Sequence, residues 1–483
     1  MKESQNAHDW AVREFGQPPR LEKRLRDRLV TTAAQLVMRP TGSLPSRLDI
    51  RDLRALYQFV DHPLVDEDII QATHRERTRE RMNRPGTVLI IHDTTQVDFT
   101  THRALHPELG PIGDGDGRGF IQHNSIAIDP ATREILGLIY QQTFNRVEAP
   151  EGETRGDRYR RVPRESSVWV EGVRKIGIAP PSTRWVHVGD SGADFFDMME
   201  MASRIGQHFL VRLVQNRRVT LPGEPESDLS GRPTPDPTGR LIEVARSLEP
   251  QCHDSIVIPS KGGRPSRVAS LCMAAIRLKI EPPVGEPKWL GHAPIPATVA
   301  RIWEPDPPEG EEALEWFLGT DLYARRLEDI RQFRDWYGSR WGTIEEYHKV
   351  QKTGCSEESM RFETAKRMKA ALAIVSVVAI RILSLRWMRD SQPDADAEVV
   401  ASEPEIEIVK KLTGFEGPTM SVRQFVEAVA KLGGWQGTRN GPPGWQTLWR
   451  GYQRLADMVL GFETMIPPEP RNEGLPRSSI WPV

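Results

Sequence analysis

Cysteine is scarce in this chain of 483 residues. Cys252, Cys272 and Cys355 stand far apart, with none of the paired spacing of a thiolate metal site. That excludes a cysteine-built zinc centre and reads as the reduced thiols of a cytosolic protein. A charge imbalance is also missing. Lys and Arg number 65 against 67 Asp and Glu, for a formal net charge of −2. Wholesale coating of nucleic acid is excluded, so any DNA binding has to come from local patches. Long apolar runs are absent too. The longest, Ala370–Ile380, is broken only by Ser376 and falls well short of the ~20 residues that span a bilayer, so it reads as a core helix. The opening Met1-Lys-Glu-Ser-Gln has no apolar segment of the kind a secretory signal needs. No internal repeat is found. The chain is too long for one core and should hold two to four domains.

What is present concentrates in Tyr337–Lys352, Tyr-Gly-Ser-Arg-Trp-Gly-Thr-Ile-Glu-Glu-Tyr-His-Lys-Val-Gln-Lys. At ~100° per residue from Tyr337, Glu345 falls at ~80°, Lys352 at ~60° and His348 at ~20°, so a carboxylate and cations share one helical face. A carboxylate can hold a divalent metal, and a cation beside it can hold the phosphate on which the metal acts. The bland alternative is a solvated helix laced with Glu/Lys pairs.

The rest of the chain reads as mixed α/β. Residues 1 to about 80 are helical. Arg20–Met38 carries apolar residues at helical spacing, and its basic faces serve either as a DNA contact or, with Glu22 and Asp27 interleaved, as a solvated surface. Thr87–Ile91 is a buried strand that ends in His92-Asp93-Thr94-Thr95, which puts Asp93 at a sheet edge where ligands bind. Two further strands, near Ile121–Ile128 and Ile135–Tyr140, make a meander. The Gly113–Gly119 tract, with Asp114 and Asp116, is a turn. A helix over Ser166–Ile176 and a strand Trp185–Gly189 ending in Asp190 follow. Either acid alone would more often be a cap or turn residue. From about 207 to 320 the chain turns to short strands between Pro/Gly-rich loops, with Lys261, Arg264 and Arg267 as a basic ribbon. An apolar helix over Met368–Arg386, an acidic linker to Pro404 and three helices complete the chain, before a proline-rich tail from Ile466.

Tyr337, Arg340, Glu345 and Lys352, followed by Thr353-Gly354, resemble the signature of the insertion-sequence DDE cut-and-paste transposases, the Tn-five-like branch of the IS-four superfamily. The contexts of Asp93 and Asp190 resemble the first and second acids of that family. The Leu25–Leu36 helix, Leu56–Phe59, Leu432–Trp435 and Gly444–Trp449 resemble its end domains. Two departures stand out. Four residues separate Arg340 from Glu345 where the family has three, which on a regular helix turns Arg340 ~140° away from Glu345. A π-bulge or break near Gly342-Thr343 is therefore expected, because absorbing one residue restores the shared face. At the second acid, Asp190-Ser-Gly-Ala-Asp194 stands where the family has Asp-Arg-Glu-Ala-Asp.

The resemblance implies an RNase H-like catalytic core (81–390) with a β-rich insertion, a helical end-recognition domain (1–80) and a helical dimerisation domain (391–483). It implies catalytic and metal-holding roles for Asp93, Asp190 and Glu345. Tyr337, Arg340 and Lys352 would grip phosphates, with Lys349 and His348 secondary. Arg212 falls at the family's active-site arginine, and Trp316 at the tryptophan that stacks on a flipped base; surface and core roles are their respective alternatives. An all-carboxylate set suits Mg2+, with Mn2+ as a substitute, at two ions per active site. Implied partners are double-stranded DNA, as inverted-repeat ends and target, and a second copy of the chain. The implied setting is the bacterial cytoplasm, at the nucleoid. Two other readings stay open: a non-catalytic DNA-end binder of the same fold, and an RNase H-like nuclease without strand transfer.

Overall fold

The computed structural model describes residues 7–113, 115–147, 150, 152–154, 157, 165–221, 238–258, 265–284, 287–289, 291–437 and 441–465. Lys261, Arg264, Asp114 and the tail 466–483 lie outside them. The chain is mixed α/β and divides into two compact units, a large one of Ala7–Pro393 and a small one beginning at Asp394.

One mixed sheet organises the large unit. Its strands are β1 (Gly86–Asp98), β2 (Gly110–Ile112), β3 (Gly117–Ile128), β4 (Ile135–Phe144), β5 (Thr183–Gly189), β6 (His208–Leu213), β7 (Arg218–Thr220), β8 (Thr238–Arg240), β9 (Cys252–Ile258), β10 (Arg267–Ile280), β11 (Ile295–Trp303) and β12 (Glu315–Thr320). Hydrogen bonding orders them β2-β3-β1-β5-β6-β12-β11-β10-β7-β8, with β4 on β3 and β9 on β10. β1 and β3 are antiparallel, as are β3 and β4, whereas β5 runs parallel to β1 and β6 parallel to β5. From β12 onward every pairing is antiparallel, so the strands of the 207–320 stretch extend the same sheet rather than forming a separate one.

Period-two alternation sorts the faces of β1. Val88 and Ile90 join Ala127, Phe209 and Val211 in a core capped by Trp169 and Val173 of the helix Ser167–Ile176 and by Phe196 and Met199 of Phe196–Arg204. The odd-numbered residues Leu89, Ile91 and Asp93 take the other face. The apolar helix Ala365–Ser391 packs beside β4 and against the helices Lys23–Met38, Ile50–Asp61 and Glu67–Met82. It is long and apolar enough to cross a membrane by composition, but 78% of its most apolar window is buried in the unit, which makes it a core helix.

The N-terminal helices belong to the same compact unit as the sheet. Buried Glu14 accepts from Arg81 at 2.8 Å and pairs with His74, whose Nε2 accepts from the Leu138 amide of β4 at 3.0 Å. Thr41 Oγ1 donates to Gly354 O at 2.7 Å and the Gly42 amide to Ser356 Oγ at 3.2 Å, tying this region to the end of the signature stretch.

In the small unit, Glu403–Thr413, Val422–Leu432 and Trp445–Met465 are helical. Ser402 with Glu405 and Ser421 with Gln424 form capping boxes that satisfy the first amides of two of them. Glycine is required where the second and third meet: a Cβ on Gly433 would sit 1.7 Å from Thr447 O, and one on Gly451 1.8 Å from Val429 O.

Candidate active site

β1 continues past Asp93 to Asp98, beyond the edge expected for it. It stays paired to β3 through Asp98 but leaves β5 after Ile91. The polar residues His92–Gln96 are held by β3 even without an apolar neighbour on both sides. The departure from β5 leaves an edge at the carboxyl ends of the parallel strands, where ligands collect in α/β sheets. Asp93 lines it from β1. Asp190 lines it as the first residue after β5, with its Oδ1 accepting from the Gly192 amide at 2.8 Å.

Glu345 arrives on a helix. Leu327–Arg340 is α-helical, Trp341–Glu345 is a π-turn, Glu346–Lys349 returns to α, and Val350–Gly354 is a second π-turn. The first widening falls where the extra residue between Arg340 and Glu345 calls for it; nothing in the sequence pattern announces the second. The stretch packs on β1 and β3. Tyr347 is fully buried and donates from its hydroxyl to Ser376 O at 3.2 Å.

These elements bring Asp93 and Asp190 to the guanidinium of Arg340, with Glu345 near enough to act on it electrostatically. Arg340 Nη2 donates to Asp93 Oδ2 at 2.9 Å and lies 3.9 Å from Asp190 Oδ2. Arg340 is only 4% exposed, and its Nε is buried without a hydrogen-bond partner among the described residues. Burial alone would lower its pKa, but Asp93, Tyr337, Asp190 and Glu345 outweigh burial and hold it above the usual arginine value. Burial pushes the Asp93 carboxyl up to about 6; Asp190 and Glu345 add to the rise, while Arg340 and the Thr94 amide oppose it. Among the described residues no three His, Cys, Asp or Glu side chains close on a point as they stand. The guanidinium fills the gap between Asp93 and Asp190.

The other signature residues ring this centre. Tyr337 is 3% exposed, and the Arg340 guanidinium lies 5.6 Å from its ring centroid. Burial raises its hydroxyl pKa, against the charges of Arg340 and of Arg212 on β6. Trp316, on β12, is buried, and its ring lies 5.6 Å from that of Trp341, which is itself 6.0 Å from Tyr337. Trp341 is 45% exposed, so of these three rings it is the one that faces solvent. Its place in the extra turn, between Arg340 and Gly342, was the signal that could have singled it out.

Lys349 is exposed and pairs with Glu346 at 2.9 Å, and Lys352 is half-buried on the second π-turn. The His348 ring turns inward, its Nε2 accepting from Asn124 Nδ2 at 3.1 Å. Burial, with Lys352, Arg340 and His123, pushes it down to about 3. It offers a hydrogen bond rather than a charge. Arg267 is held by Glu304 at 3.0 Å. Asp194 accepts from the Val214 and Gln215 amides and pairs with Arg217 at 3.0 Å, which organises the turn after β6.

Behind the acids lies a layer that sequence reasoning missed. His92, on the opposite face of β1 from Asp93, bonds His187 at 2.8 Å and Ser125 Oγ at 2.8 Å, and His123 bonds Thr94 Oγ1 at 3.1 Å. All three rings are fully buried, and burial holds His123 and His187 down at about 3. They are neutral struts that fix the strands carrying Asp93 and Asp190. The open cavity of about 450 Å³ at the other end of these strands, near Gly86, Trp185 and His208, contains none of the acids. No protein-family model matches the chain.

Proposed function

We propose that this chain is a DDE-type DNA transposase on an RNase H-like core, one that cuts at the ends of a mobile element and joins the freed 3′ hydroxyls to target DNA. The observation that carries this reading is the pairing of Asp93 and Asp190, from two distant strands, with one guanidinium, on which Glu345 from a third stretch also acts electrostatically. The order β4-β3-β1-β5-β6, an antiparallel meander followed by two parallel strands, supports the RNase H-like assignment.

The carboxylates fit a hard divalent cation, because the donors are all oxygen. Magnesium, with manganese as a substitute and two ions per site, would activate the attacking oxygen and offset charge on the departing 3′ oxygen. The chain's own residues supply grip and orientation. Arg212 and Tyr337, close enough to influence each other electrostatically, and the half-buried Lys352 line the approach of a phosphate. Lys349 extends that basic edge outward. Trp341 presents a ring on which an unpaired base can stack, with Trp316 buttressing it from the core. Double-stranded DNA ends and a second copy of the chain are the partners in this reading, and the bacterial cytoplasm is its setting.

The test is incubation of the full chain with Mg2+ and DNA carrying the inverted repeats that flank its gene. Cut ends, hairpins and joined target are expected. Cutting without joining would make the chain a nuclease, and binding without cutting an end-binding protein.

A further inference from the structure

We infer that Arg340 is the resident counter-ion of the acid cluster, that a divalent cation must displace it, and that it thereby couples metal binding to DNA binding. The inference rests on the metal-site reading above. The geometry is that of a competitor. Arg340 Nη2 sits 2.9 Å from one proposed metal ligand and 3.9 Å from another. A cation within ligand distance of both carboxylates would meet the guanidinium head-on. The side chain is nearly enclosed, so it cannot leave for bulk water without exposing three like charges to one another.

It does have somewhere to go. Its Nε is buried with no hydrogen-bond partner among the described residues, and its neighbours on the other side are the Tyr337 ring and Arg212, whose charge acts on the Tyr337 hydroxyl. That side is basic and aromatic and suits a phosphodiester oxygen. The π-turn begins at the very next residue, Trp341. It supplies backbone slack at the hinge a swinging arginine would use, and π-turns concentrate at such positions. A phosphate that draws Arg340 away leaves the carboxylates short of a cation, and a cation that fills the cluster leaves Arg340 free for a phosphate. By linkage the two effects are equal in free energy.

The test is Mn2+ binding to the full chain, followed by electron paramagnetic resonance and calorimetry, with and without a short end duplex. Wild type should bind weakly alone and several-fold more tightly with DNA. Arg340→Gln should bind ~10-fold or more tightly without DNA and lose the DNA effect, since a coupling of 1–3 kcal/mol corresponds to 5- to 150-fold. Arg340→Lys, which keeps the charge but not the fork, should fall between and guards against misfolding of the first variant; circular dichroism checks both. Equal or weaker Mn2+ binding by folded Arg340→Gln, or a DNA effect that survives in it, overturns the inference and leaves the metal site standing. No Mn2+ binding by wild type, or full binding by Asp93→Asn, overturns the metal site and this inference with it.

Discussion

Gln351 Nε2 donates to Gln122 Oε1 on β3 at 2.9 Å and lies 3.0 Å from Ser376 Oγ of the core helix. Gln141 Nε2 reaches the same Ser376 Oγ at 2.9 Å and Asn124 Oδ1 at 2.6 Å. The helix that presents Glu345 is thus pinned to the sheet and to the core by buried amides, and its height over Asp93 is set there. Gln351→Leu should leave Gln122 Oε1 with only the 3.4 Å bond from Asn124 Nδ2 and cost about 1–3 kcal/mol of stability. It should also slow cleavage more than it weakens DNA binding, because Glu345 shifts while the outer cations stay. Thermal melts and single-turnover cleavage, measured beside DNA affinity, check this.

Glu357 is fully buried with neither carboxyl oxygen hydrogen-bonded among the described residues. Burial, with Glu358 beside it and Lys352 opposing, pushes its pKa up to about 8. The folded protein therefore keeps the proton that the unfolded chain releases near pH 4.5, so this site loses stability as pH rises from about 4.5 to 8. Glu357→Gln should remove that loss. The expected gain is near zero at pH 4.5 and up to roughly 3 kcal/mol at pH 7. Melting temperatures that rise equally at pH 5 and pH 8.5 would count against it.

The histidine layer acts in the opposite direction. His123 and His187 are held near 3 by burial, below the ordinary 6.5, so their contribution is present above pH 6.5 and is lost as pH falls toward 3. At pH 5 the loss should approach roughly 2 kcal/mol for each ring. His123→Asn and His187→Asn should each flatten the acid limb of the stability curve, read by chemical denaturation between pH 4.5 and 7.5.

Trp341 and Trp316 separate stacking from packing. Trp341→Ala should leave the melting temperature nearly unchanged and weaken binding of DNA ends by about 1–3 kcal/mol, since its ring is exposed. Trp316→Ala removes a buried ring and should cost about 3–5 kcal/mol of stability. Fluorescence titration with end DNA and thermal melts distinguish the two.

How much of this could be read in one dimension depended on the kind of signal. Asp190 was legible because Trp185–Gly189 is a short apolar run with an acid after it, and Val422–Leu432 because its apolar spacing is regular. The π-turn was legible because a single surplus residue must be absorbed somewhere. The continuation of β1 beyond Asp93 was not, since its polar residues are held by pairing with β3. The helical reading of residues 1 to about 80 takes in Glu67–Met82, but its polar contacts to β4, such as Gln71 to Gln141, had no signal in the sequence. Arg340 was placed among phosphate contacts, and nothing in the local spacing tells that its nearest anion is Asp93, 247 residues away.

The most direct measurement is the single-turnover rate of Mg2+-dependent end cleavage for Asp93→Asn, Asp190→Asn, Glu345→Gln and the Asp93/Glu345 double variant, with DNA affinity measured in parallel. If the three acids work as one site, each single variant loses at least ~1,000-fold in rate at unchanged affinity, and the double loses little more. A folded single variant that cuts at the wild-type rate would contradict the account.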